Sequence, residues 1–183
     1  PVNVFMGVDP ASSTAQTADY STIVPLAVDS GGNRYLLPYF NQRVTPMVLA
    51  DNIMSYAKKY PYLKRCRIES VGYQEMLRDY IRSKVYIPGL EIKENPRTSK
   101  SNRLETLQPF FAQGKIFLME DMKALIDQLL MYPRGKNDDL LDGLYYANKG
   151  VYVPSHSVLI EEEDTNKHFI FWKEDIRENG WVL

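Results

Sequence analysis

Three aspartates fall within five positions, Asp138, Asp139 and Asp142, at the head of an apolar helical pattern in which Leu141, Leu144 and Tyr145 recur on one face. Asp138 and Asp142 are one helical turn apart, as are Asp139 and Asp142, so pairs of carboxylates share a face. Two chemistries fit. Acids in a first turn satisfy free backbone N–H groups and the positive end of the helix dipole, with Asn137 or Asp138 as the cap. Alternatively, a divalent cation holds the carboxylates together, because a hard cation takes oxygen ligands. One helix end rarely supplies a whole site, so the second reading requires further carboxylates at the ends of strands.

Two more acids meet that requirement. Asp9 closes the short apolar run from Val2, and Glu69 stands at the end of a second expected strand, Arg65 to Ser70. Each has a structural alternative: Asp9-Pro10 as a capped turn, Glu69 as the partner of Arg65 or Arg67. Clustered carboxylates at buried strand ends are costly unless a cation neutralises them. Two divalent ions roughly 3.5–4 Å apart would do so, and would also activate a water and stabilise the leaving oxygen of a phosphodiester. Lys93, Arg97, Lys100 and Arg103 form the best local candidate for phosphate contact, or a solvated basic loop. Bases at a helix start oppose its dipole, which favours an anionic partner. Lys64, Arg65 and Arg67 form a second basic set.

The elements that must position these groups follow in order. Val2 to Asp9 and Thr22 to Asp29 read as strands, Asp29 to Asn33 as a hairpin turn, and Arg34 to Asn41 as a third strand. Thr45 to Lys59 reads as a helix with Thr45 as N-cap and Pro46 in its first turn. Then come the Arg65 to Ser70 strand, a Tyr73 to Ser83 helix, a Leu90 to Lys93 strand, and a single helix from Lys100 or Ser101 to about Gln113. Ile116 to Leu118 is a short extended piece, Asp121 to Leu130 a helix, and the aspartate-headed helix follows. The pattern predicts an α/β fold with a mixed sheet, antiparallel at its start and parallel afterwards. Residues 151–183 read as an appendage, with an acidic run at Glu161 to Asp164 and an extended arm at His168 to Trp172.

Composition narrows the classes. The chain has 183 residues with 44% hydrophobic and 12% aromatic, enough for a substantial core. A net charge of −1 gives no global basic signature, so a nucleic acid partner must be met by a local patch or through metal ions. The single Cys66 makes no internal disulfide, as expected of a reducing cytoplasm, and no apolar run reaches membrane length. No Gly-rich phosphate loop and no Cys/His set with zinc spacing is present; His156 and His168 read as surface residues of the tail. A sugar-kinase-like reading would need phosphate-binding glycine turns that are missing. The chain begins at Pro1 and enters a strand almost at once, which reads as an excised domain of a longer protein.

The stretches Gly7-Val8-Asp9-Pro10-Ala11 followed by Asp19-Tyr20-Ser21, then Glu69-Ser70-Val71-Gly72 through Gln74, resemble the first two motifs of the nuclease domain of phage terminase large subunits. Lys100 through Leu104, Leu107-Gln108-Pro109 and Gly114-Lys115-Ile116 resemble the segment before the third motif. Tyr132 to Leu144 resembles the third motif itself, with Asn137 where a common form has His. The resemblance runs from about Val4 to Ala147.

This resemblance implies an RNase H-like fold: a mixed central sheet with an antiparallel hairpin at its start and helices on both faces. It implies residues 1–150 as the nuclease domain, and a metal-dependent endonuclease that cuts concatemeric viral DNA during genome packaging. By motif position Asp9, Glu69 and Asp139 would be catalytic and hold metal, Asp138 would be a nearby or alternate ligand, and Asp142 would have a lesser role. Arg97, Lys100 and Arg103 would contact DNA. Two Mg²⁺ or Mn²⁺ ions are the implied cofactors. Double-stranded DNA, a packaging ATPase domain that precedes this one, the portal and the small terminase subunit are the implied partners, in the host cytoplasm and away from membranes. Competing expectations are an RNase H-like resolvase or transposase, and a non-catalytic docking module of the packaging motor whose acids are structural.

Overall fold

Alternation along the first strand, β1 (Val2–Asp9), divides the molecule into two faces. Val4, Met6 and Val8 enter one apolar core, while Phe5 enters the other, so Gly7 and Asp9 share the Phe5 side. The computed structural model describes residues 1–11, 20–69, 72–93, 100–135, 137–155 and 181–182. Strand β2 (Ser21–Asp29) runs antiparallel to β1 from Val2 opposite Asp29 to Asp9 opposite Thr22. β3 (Arg34–Leu36) and β4 (Phe40–Gln42) both pair antiparallel with β2. The single strand expected over Arg34 to Asn41 is therefore interrupted, at Leu37-Pro38-Tyr39, where Pro38 has no N–H to give a ladder.

On the other side of β1 the chain pairs in parallel. β5 (Leu63–Glu69) lies beside β1, and β6 (Leu90–Lys93) beside β5. β7 (Ile116–Met119) is parallel to β3, and β8 (Trp181–Val182) adds an antiparallel rung to β7. The sheet order is β6-β5-β1-β2-β3-β7-β8, with β4 on β2. The terminal part of the tail thus joins the sheet, which its sequence does not signal. The expected arm at His168 to Trp172 lies outside the described residues.

Helices cover both faces. α1 (Pro46–Lys59) starts as expected: Thr45 is the N-cap, its hydroxyl accepting from Val48 N–H, with Pro46 in the first turn. α1 and α2 (Gln74–Lys84) bury Leu49, Ile53, Leu77 and Ile81 against Val4, Met6 and Val8. The expected long helix after Lys100 is two: α3 (Lys100–Glu105) and α4 (Gln108–Ala112), the second opening with Pro109, whose missing N–H suits a first turn. α5 (Lys123–Met131) and α6 (Asp139–Asn148) close the second face. Residues 139–147 of α6 are all buried, so it is a central helix with no solvent face there. Among the described residues no helix is long and apolar enough to cross a membrane.

Candidate metal centre

β1 and β5 are parallel neighbours, with Val8 opposite Ile68, so Asp9 and Glu69 leave the sheet side by side at the carboxyl ends of their strands. In α/β sheets that edge is the usual site crevice. Cys66 and Ile68 point into the α1/α2 core, which leaves Arg67 and Glu69 on the α6 side with Asp9. Helix α6 can reach them because two glycines let it lie directly on the sheet. A Cβ on Gly7 would collide with the Gly143 carbonyl and the Ala147 amide, and one on Gly143 would sit 2.7 Å from Val24 Cγ2 and 2.9 Å from Thr22 Oγ1. The Thr22 hydroxyl donates to the Asp139 carbonyl at 3.0 Å and ties the first turn of α6 to β2.

This docking brings Asp9, Glu69 and Asp142 together, with one carboxylate oxygen from each within 4.8 Å of the others. All three are buried, at 9%, 6% and 6% exposure. Asp139 is also buried and close enough for its charge to act on Asp9. Asp138 is half-buried at the N-cap of α6 and makes no side-chain cap hydrogen bond, and the first-turn N–H of Leu140 donates to Gln128 Oε1 at 3.1 Å. The structure therefore draws Asp142 in beside Asp9 and Glu69 more closely than its assigned lesser role suggests. The signal was present in the three-residue spacing from Asp139. What the sequence lacked was the direction in which α6 faces.

Arg103 enters the same cluster. From α3 its Nη1 lies 2.9 Å from Asp142 Oδ1 and 3.2 Å from Glu69 Oε1, and the residue is 3% exposed. The basic-loop expectation placed it toward solvent; its side chain is instead turned in among the acids. Arg65 and Arg67, the partners that the structural alternative offers Glu69, pair instead with Glu91 at 3.4 and 3.2 Å. Lys100 opens α3, and Arg97 lies outside the described residues.

The electrostatics are those of an under-neutralised cluster. Burial raises the Asp9 pKa well above the usual carboxylate range, and a hydrogen bond shared with Glu69 and the charges of Glu69, Asp142 and Asp139 raise it further. Burial works against the Arg103 guanidinium, but Asp142 and Glu69 outweigh it and its pKa is raised overall. The Tyr146 phenol beside Glu69 is pushed upward by burial and then by the Glu69 charge, so it remains neutral. Tyr73 donates from its hydroxyl to the Ala11 carbonyl at 2.7 Å and holds the chain leaving Asp9; burial and the Asp9 charge push its pKa to about 12. Ser21 Oγ accepts from Ala11 N–H at 3.0 Å on the other side. Among the described residues four buried carboxylates, all hard oxygen donors, face one guanidinium, and such a donor set fits a divalent cation.

The fold is similar to that of the large terminase nuclease from thermophilic phage G20c, with a TM-score of 0.61 at 15% identity over 82% of this chain and 83% of that one. It also resembles the same nuclease with bound zinc, at a TM-score of 0.58, 16% identity and coverage of 81% and 82%. With bound magnesium the values are 0.55, 16%, 81% and 82%. No curated protein sequence matches the chain. Residues 6–149, from the middle of β1 to the end of α6, match the family model described as the terminase RNaseH-like domain, and the chain belongs to that family.

Proposed function

We propose that this domain is a metal-dependent DNA endonuclease that cuts concatemeric viral DNA during genome packaging. The observation that carries the reading is the meeting of Asp9, Glu69 and Asp142 within 4.8 Å at the buried strand ends. Family membership and the likeness to a terminase nuclease described with zinc and with magnesium support it.

Asp9, Glu69 and Asp142 would hold the metal, Mg²⁺ or Mn²⁺, with Asp139, whose charge acts on Asp9, as a further ligand and Asp138 as an alternate one. Divalent ions here supply activation of the attacking water and neutralise charge on the phosphate and the leaving 3′ oxygen. The residues of the chain do the rest. Burial and the surrounding acids favour the protonated form of Asp9 in the metal-free cluster, so a proton would compete with metal there and metal affinity would rise with pH. Thr22 fixes the first turn of α6, and the Gly7–Gly143 contact sets the depth at which Asp142 meets the strands. Tyr73 and Ser21 hold the Ala11 backbone just after Asp9 and keep that carboxylate aimed at the cluster. Hydrolysis forms a bond from water oxygen to phosphorus and breaks the bond from phosphorus to the 3′ oxygen. Lys100 and Arg97 would touch the DNA backbone without reading bases. In the host cytoplasm a packaging ATPase domain, portal and small terminase subunit would present the DNA.

The test is cleavage of supercoiled plasmid with Mn²⁺, Mg²⁺ or EDTA, beside Asp9→Ala and Asp142→Asn. Metal-dependent cutting lost in both variants supports the reading. Metal-independent cutting, or cutting that survives both substitutions, overturns it. Folded protein that neither cuts nor is stabilised by Mn²⁺ is a docking module whose acids are structural.

A further inference from the structure

A long cationic side chain is rarely fully buried unless paired, and Arg103 is both buried and paired, with its Nη1 divided between two carboxylates on different elements. Glu69 comes from the end of β5 and Asp142 from the first turns of α6. The guanidinium therefore sits where strand and helix meet. Its place is built from several sides. The rings of Tyr145 and Tyr146 each lie 5.8 Å from Cζ, near enough for cation–π attraction, and α3 packs against α6. Thr106 Oγ1 donates to the Arg103 carbonyl at 2.6 Å and secures the end of α3.

Two of the three residues that would bind a cation thus already hold one. Glu69 Oε1 and Asp142 Oδ1, the oxygens that face Arg103, belong to the same carboxylates that meet Asp9. A divalent ion on those carboxylates would stand close to a like charge in a buried setting, where repulsion is weakly screened. The guanidinium and the metal cannot both enjoy the full attraction of Glu69 and Asp142. Ligands that share one set of partners are coupled, and each weakens the other.

We infer that Arg103 is the resident counter-ion of the metal-free centre: it holds Glu69 and Asp142 together until a divalent cation takes them, and loading breaks at least one of its two ion pairs. This inference rests on the metal-centre reading above, yet it concerns binding and not cleavage. Arg103 is accordingly a positioning residue that acts on the ligands. It makes the empty centre tolerable to the fold and sets a threshold that metal must exceed.

The experiment is calorimetric titration of Mn²⁺ into the parent chain, Arg103→Met and Arg103→Lys, with melting temperatures in EDTA. Arg103→Met should bind Mn²⁺ at least about fivefold more tightly, the lower end of a typical coupling. It should also melt lower than the parent in EDTA and gain more from Mn²⁺. Arg103→Lys, which keeps the charge, should return affinity toward the parent value. Equal or weaker Mn²⁺ binding by folded Arg103→Met overturns the inference and leaves the metal centre standing. Absence of Mn²⁺ binding by the parent overturns the centre, and this inference with it. Should Arg103→Met not fold, the parent decides. The arginine side-chain Nε–Hε resonance that is missing in Arg103→Lys should shift saturably with Mg²⁺, and a resonance that stays fixed while Mg²⁺ binds overturns the inference.

Discussion

The β1–β2 ladder carries an aspartate at each end, and the two are opposites. At the turn end, opposite Val2, the Asp29 carboxylate accepts from Asn33 N–H and Asn33 Nδ2 at 2.9 Å each, and from the Tyr35 hydroxyl at 3.1 Å. Burial pushes its pKa up, but these hydrogen bonds outweigh burial and the pKa is lowered. At the other end, opposite Thr22, Asp9 is ringed by Glu69, Asp142 and Asp139 and its pKa is raised. Residue type and place at a strand end are the same; the sign of the surroundings differs. An acid encircled by donors is a strut for a turn, whereas one encircled by acids is destabilised in its charged form and fits a cation partner.

The largest expected effect separates the two ends by activity. Asp9→Ala should lower metal-dependent plasmid cleavage by at least on the order of 10²-fold, the scale of losing one electrostatic group from a reacting centre. Folded Asp29→Ala should cut at the parent rate; rates of nicking on gels decide, and loss of cleavage in folded Asp29→Ala would break the contrast. Next in size is Gly7→Ala, where a methyl group must push β1 and α6 apart. Urea denaturation should show a loss of about 3 kcal/mol, the upper range for overpacking a core.

Smaller effects should differ in sign. In EDTA at neutral pH, Asp29→Ala should lose about 1–2 kcal/mol, since its hydrogen bonds are partly exposed to water. Asp9→Asn should leave stability unchanged or raise it, by relieving repulsion. A clear loss of stability in metal-free Asp9→Asn would show that Asp9 is structural after all. The smallest effect is in the pH slope. The lowered pKa of Asp29 means its contribution is present above the unfolded value of about 3.9 and is lost as pH falls through the folded value. The raised pKa of Asp9 means the reverse: the folded, metal-free chain keeps a proton that the unfolded chain has released. Its contribution is complete below about 3.9 and disappears as pH rises through the folded value. Denaturation across pH in EDTA should therefore show Asp29→Ala flattening the slope on the acid side and Asp9→Asn flattening it above.

Local signals carried much of the fold. The β1 run, the hairpin turn, the Thr45 cap with Pro46 and the Leu90–Lys93 strand are all set by neighbours in sequence, and they stand where periodicity and turn chemistry put them. Less legible were features decided at a distance. The complete burial of residues 139–147 and the pairing of β8 with β7 depend on what packs from elsewhere. The acids of the site were visible as types at strand and helix ends. The inward turn of Arg103 was not, because a basic residue at a helix start looks the same whether it meets solvent or carboxylates. The closeness of Asp142 to Asp9 was equally hidden, since it follows from the bare backbone contact at Gly7 and Gly143.

The order in which the chain leaves the ribosome gives the location of α6 another meaning. Asp9 and Glu69 emerge early and can become neighbours once β1 and β5 pair, but the carboxylate that completes the trio lies at position 142. Contacts of such wide sequence separation close late and at high entropic cost. A nascent chain whose first strands have already paired still lacks its third acid, and so cannot gather a cation with all three. On the reading proposed above, synthesis itself delays the cutting of nucleic acid until the domain is nearly complete.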